Sequence, residues 1–84
     1  MTEFNWTENS RTIFEEFVKA APMGFGSVTK RGVLSGLTNV VGEGGDVREE
    51  DIVQAIKDRT PAPFKAQGLK AIEPFVTDSS ILDN

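Results

Sequence analysis

The chain has 84 residues, 38% of them apolar and 26% charged, with 13 acids against 9 bases for a net charge of −4. It carries neither cysteine nor histidine, which removes disulfides, cysteine–histidine zinc sites, thiolate nucleophiles, iron–sulfur ligation and the commonest general base. The length suits one small domain with a modest core, and the acidic balance argues against a nucleic-acid partner, whose binders are normally basic.

No run approaches the roughly 18 apolar residues of a membrane span. The opening "MTEFNWTENS" lacks the basic-then-apolar order of a signal peptide. A cysteine-free chain of this kind is expected in the cytoplasm.

In chain order, Phe4 and Trp6 come first and are expected to pack back onto the helix that follows. "NSRTIFEEFVKAA" places Ile13, Phe14, Phe17, Val18 and Ala21 on one helical face. Asn9 is its N-cap, or Thr12 with Glu15 forms a later capping box, and Pro22 stops the helix. "PMGFGS" is a connector broken by Pro22, Gly24 and Gly26. A second helix is predicted from Ser27, as its cap, to Val41, with Val33, Leu34, Leu37, Val40 and Val41 inward. Gly32 and Gly36 weaken this helix by about 1 kcal/mol each relative to alanine, and their spacing suggests that another helix approaches closely there.

A third helix is predicted over 47–59, with Ile52, Val53 and Ile56 as its core stripe and Val47 and Ala55 beside it. "TPAP" ends it, because a residue before proline avoids the helical region. "FKAQGLKAIEPF" offers a short fourth helix with Phe64, Leu69 and Ile72 inward, weakened by Gly68 and closed by Pro74. No segment alternates with a period of two, which argues against an antiparallel sheet. The expectation is an all-α domain over residues 1–76, a small bundle of three to four short helices joined by Gly/Pro turns, followed by a flexible tail over 77–84 without usable pattern.

The densest cluster of special residues is "VGEGGDVREED", residues 41–51. A phosphate loop would need a strand before it and a Lys-Ser/Thr pair after its glycines, and would not carry Glu43 and Asp46. A calcium loop would need its acids on the EF-hand grid, which Glu43, Asp46, Glu49 and Glu50 miss. The pattern fits a helix joint instead. Gly42 or Gly44 takes the left-handed position ending one helix, Asp46 caps the next with Glu49 three residues on, and Glu49, Glu50 and Asp51 favour its positive end.

The start of the second helix carries the candidate site. "GFGSVTKRG" puts Ser27, Thr29, Lys30 and Arg31 where free backbone amides, two hydroxyls and two cations can hold an anion. Cations are misplaced at that end for the helix's own stability, so they ask for another reason. They either extend into solvent, pair with acids of a neighbouring helix, or meet a ligand. Phe25, between its glycines, either folds inward or anchors a partner. Glu15 and Glu16 are adjacent and point to different parts of the surface, so they make no acid/base pair. Lys57, Arg59 and Lys65 form a modest basic cluster at a helix end. No catalytic group, metal site or cofactor is assigned: only carboxylates, lysines and hydroxyls remain, and no pair stands at a working spacing.

Trp6, then Pro22 with Phe25, then Lys30 and Arg31, then the Gly42–Gly45 turn and "VREEDIVQAI" follow one order along the chain. In that order the segment from Trp6 to Phe64 resembles the PCP-red domain, a small helical family found at the C-terminal end of the B subunit of light-independent protochlorophyllide reductase and as short stand-alone proteins. The chain departs from that pattern at "VLSGL", Val33–Leu37. The resemblance implies an accessory role in tetrapyrrole reduction without catalysis by this chain. It also implies that Lys30 and Arg31 meet an anionic group on a protein partner or pigment. "VxxEDIxxAI" also resembles helix starts of histone-like folds, which makes a small DNA- or protein-binding regulator the rival expectation.

Overall fold

The computed structural model describes residues 4–82. It is all-α in architecture: α1 (Ser10–Lys19), α2 (Gly26–Val41), α3 (Glu49–Arg59) and α4 (Ala62–Ile72), with short 3₁₀ turns at Glu73–Phe75 and Ser79–Leu82. Two strands of two residues each, β1 (Asn5–Trp6) and β2 (Asp46–Val47), pair in parallel with Asn5 opposite Asp46 and Trp6 opposite Val47. Strands this short carry no alternation to read, so the pairing is absent from the sequence pattern.

The apolar spacing produces the core. Ile13, Phe14 and Phe17 of α1, Val33 and Leu37 of α2, Ile52, Val53 and Ile56 of α3 and Ile72 of α4 are all buried in one cluster. Each large side chain removed from water contributes about 1.5–3 kcal/mol. Trp6 stacks on Phe14 with ring centroids 5.2 Å apart, and Phe4 meets Trp6 edge-on at 5.9 Å. The upstream aromatics therefore do fold back onto α1.

Two glycines set how closely the helices approach. A β-carbon at Gly36 would lie 2.7 Å from the Arg59 side chain and 3.3 Å from the Ala55 carbonyl oxygen, so α2 presses on α3 there. One at Gly68 would lie 2.5 Å from the Phe17 ring, so α4 presses on α1. Gly32 has nothing within 4 Å, so of the two glycines in α2 only Gly36 serves the approach expected of both.

Several boundaries differ from the expectation. α2 begins at Gly26 with Phe25 in the cap position, because the Phe25 N–H already bonds the Pro22 carbonyl and winds the chain into helix one residue early. Ser27 is thus inside the first turn and caps nothing. α3 begins at Glu49, since Val47 is spent in β2. Arg48 holds the cap position, with its N–H donating to Asp51 at 3.0 Å, while Asp46 accepts the Asn5 side-chain amide at 2.8 Å. Asn9 occupies the α1 cap position, but its amide donates to the Phe75 carbonyl instead of capping. Phe64 is 54% exposed rather than inward, and Val40 also faces out. α4 holds α1 through its second half, and its first turn runs past that contact.

The contacts fix the helix directions. Asn9 at the start of α1 touches Phe75 beyond the end of α4, and Phe17 meets Gly68, so α1 and α4 run antiparallel. Gly36 lies against Ala55 and Arg59 while Val40, one turn later, lies beside Glu50, Asp51 and Gln54, so α2 and α3 are antiparallel. β1 and β2 place the starts of α1 and α3 side by side. The molecule therefore has a paired end, where α1 and α3 begin, and a far end, where α2 and α4 begin.

Candidate functional site

At the paired end every polar group of note is used by the fold. The Val47 carbonyl accepts the Thr7 N–H at 2.9 Å, the Thr7 hydroxyl at 2.6 Å and the buried Ser10 hydroxyl at 3.0 Å. Glu8 stands in the left-handed region, φ 56°, and its carboxylate accepts the Glu49 N–H at 3.1 Å. That N–H is one of the orphans at the start of α3, so the first turn is capped by a residue from outside its own helix. Glu49, only 7% exposed, accepts the Thr77 N–H at 2.6 Å and the Thr77 hydroxyl at 2.9 Å. Two turns farther along α3, toward the far end, Lys57, 9% exposed, donates to the Ile81 carbonyl at 2.9 Å. Residues 77–82, which carry no pattern in the sequence, thus lie along α3; Asp83 and Asn84 fall outside the described residues.

These bonds settle the glycine-rich joint. Gly42 (φ 81°) and Gly44 (φ 70°) occupy backbone that side chains rarely adopt. A β-carbon at Gly45 would strike the Val41 carbonyl. Asp46, Glu49 and Asp51 each hold a partner within the fold. A depression of about 450 Å³ lies among Glu8, Arg48, Glu49, Glu50, Thr77 and Asp78. Among the described residues no His/Cys/Asp/Glu group converges as a metal cage. The Asp78 carboxyl is held below the ordinary carboxylate range, mainly by the Ser80 hydroxyl and then by the Ser80 N–H.

The far end is built differently. α2 starts without a side-chain cap and without an acid in its first turn, and so does α4; α1 shares this, but among the described residues only these two starts are followed by exposed large apolar side chains. Phe25 is 58% exposed and Met23 98%, so the inward alternative for Phe25 is overturned. Val28 also stands in solvent. Lys30 and Arg31 are exposed, and among the described residues neither makes an ion pair. Pairing with acids of a neighbouring helix, one reading of these two cations, is not what the structure has. Ser27 is exposed and lies one turn before Lys30 and Arg31 on the same face, while Thr29 is half-buried. The structure brings Phe25, Ser27, Thr29, Lys30 and Arg31 together simply as consecutive residues of one loop and one and a half turns. The basic cluster of Lys57, Arg59 and Lys65 does not form as such: Lys57 turns to Ile81 and Arg59 lies across Gly36.

One signal in the sequence went unread. Residues 17–42 and 59–72 contain no acid, yet hold Lys19, Lys30, Arg31, Arg59, Lys65 and Lys70. The rest of the chain carries all 13 acids against Arg11, Arg48 and Lys57. The net charge of −4 therefore conceals a cationic part that includes the starts of α2 and α4. No helix of the described residues is long and apolar enough to cross a membrane. No family model, curated protein or solved structure matches the chain.

Proposed function

We propose that the protein is a non-catalytic helical accessory module, working in the cytoplasm, that docks on a protein partner through the start of α2. The observation that carries this reading is the pairing of an exposed Phe25 with two cations, Lys30 and Arg31, that have no ion partner among the described residues. Exposed aromatic and arginine side chains are the commonest anchors of protein interfaces. The order Trp6, Pro22–Phe25, Lys30–Arg31 and "VREEDIVQAI" resembles the PCP-red domain, so the partner proposed is a reductase subunit of the protochlorophyllide type. Ser27 and Thr29 would add hydroxyl donors where the partner, or a tetrapyrrole carboxylate, presents an oxygen.

The test is affinity purification of the tagged full chain from its own cells, as wild type and as Lys30→Glu/Arg31→Glu. A reductase-type subunit recovered with the wild type alone supports the reading. Equal recovery with both forms, or none with either, rejects it. In parallel, a porphyrin carrying propionates is titrated by absorbance; a spectral shift lost in the double variant would place the anionic group on the pigment. The histone-like rival draws on the acid-free stretches and calls for a salt-dependent mobility shift with duplex DNA.

A further inference from the structure

From the far end as a whole we infer a docking surface wider than the start of α2, shaped for an acidic, apolar-studded protein segment. This rests on the reading that the module docks on a protein, and adds the extent of the surface and the chemistry of the segment. Gly68 lies against Phe17 near the end of α1. Phe64, one turn before Gly68, therefore extends past Phe17 toward the loop that carries Met23 and Phe25. α2 begins ten residues before Gly36, about 15 Å along its axis, beyond the level at which Arg59 ends α3. The loop between α1 and α2, the start of α2 and the start of α4 thus all lie at the end of the molecule where α1 stops.

What they present there is consistent. Neither α2 over 26–32 nor α4 over 62–67 buries a single residue. Met23, Phe25, Val28 and Phe64 project apolar side chains into solvent. No acid stands on any of these segments, while Lys30, Arg31 and Lys65 do. Both helices start without a side-chain cap and without an acid in the first turn. Of α1 to α4 only α3 carries acids in its first turn, Glu49, Glu50 and Asp51; α1 starts as bare as α2 and α4 but is followed by no exposed apolar tip there. Apolar tips exposed beside cations, at two helix starts left without carboxylates, describe a surface whose acids and apolar cover come from elsewhere.

The chemistry selects among anionic occupants. A phosphate backbone would match the charge but offers nothing apolar to Met23 and Val28. A bilayer would match charge and apolar tips but gives the N–H groups at the start of α2 no acceptor at a fixed position. A polypeptide with carboxylates interleaved among leucine and phenylalanine side chains supplies all three. Its approach is excluded at the paired end, where Glu8, Glu49, Glu50 and Asp78 gather.

The test titrates the full chain with a synthetic amphipathic peptide alternating Glu with Leu and Phe, followed by backbone-amide NMR. Shifts are expected over 23–31 and 60–66 together, with none at Glu8, Glu49 or Thr77. Lys30→Glu/Arg31→Glu and Phe25→Ser/Phe64→Ser should each weaken binding by about tenfold or more, and added salt should weaken it further. Unchanged far-ultraviolet circular dichroism shows that each variant folds. Shifts confined to one segment, or binding indifferent to the charge reversal, overturn the proposal. So does tighter binding of phosphatidylglycerol vesicles or of an oligonucleotide than of the peptide. Peptide binding with no reductase subunit recovered from cells keeps this surface and removes only the reductase as its partner.

Discussion

At the paired end the start of α3 is closed by Glu8 from outside its helix and by Asp51, whereas at the far end the starts of α2 and α4 carry no side-chain cap and no first-turn acid, a bareness that α1 shares. Glu8 caps α3, Glu49 holds Thr77, and Ser10 and Thr7 converge on the Val47 carbonyl. Opposite them stand Phe25 and Phe64, each more than half exposed, and Lys30 and Arg31, without an ion partner among the described residues. In a chain of 84 residues, whose folding margin is narrow, the fold is concentrated at one end. The other is left to whatever binds there.

The comparison sharpens or breaks with substitutions on each side. The largest effect is expected from Ile52→Ala in the first turn of α3, where a fully buried side chain leaves a cavity; chemical denaturation should show a loss of about 2–5 kcal/mol. Next comes Glu49→Ala, which removes a buried acceptor of two bonds from Thr77. A loss of about 2 kcal/mol is expected, with faster hydrogen exchange at Thr77 as the local signature. A stability unchanged by Glu49→Ala would mean that the paired end is not held as described.

A pair of glycines asks the same question more finely. Gly68→Ala drives a β-carbon into the Phe17 ring and should destabilise by about 1–3 kcal/mol, less the gain in helix propensity. Gly32→Ala meets nothing and should stabilise by about 0.5–1 kcal/mol. A gain at Gly32 beside a loss at Gly68 would fit a start of α2 free of packing; a loss at Gly32 would not.

The smallest effect concerns pH. Asp78 is lowered in the folded protein by its bonds to Ser80. Its contribution is therefore complete above the ordinary carboxylate value of 3.8 and disappears as pH falls through the lower folded value. The Ser80 amide resonance should move below pH 3.8, with little change in global stability because Asp78 lies in solvent.

The sequence made the helices legible where apolar spacing was strong. Ile13, Phe14 and Phe17, and Ile52, Val53 and Ile56, declare their faces without help. What hid was everything set by partners distant along the chain. Asn5 and Asp46 are 41 positions apart, so neither strand announces itself locally, and Val47 then reads as the first turn of α3. Glu49 looks like a solvent-facing first-turn acid, because its partner Thr77 comes 28 residues later. At the far end the cations were plain, but a lone phenylalanine does not say whether it faces in or out. Phe25 and Phe64 needed the packing of α1 on α4 to be placed. The missing acids over 17–42 and 59–72 were in view and were masked by the negative total.

The division between the two ends is tested most directly by the stability of Phe25→Ser/Phe64→Ser, measured by chemical denaturation beside Ile52→Ala. The double variant should keep wild-type stability within about 0.5 kcal/mol. A loss above about 2 kcal/mol, comparable to a buried truncation, would show that these rings serve the fold and would contradict a far end reserved for docking.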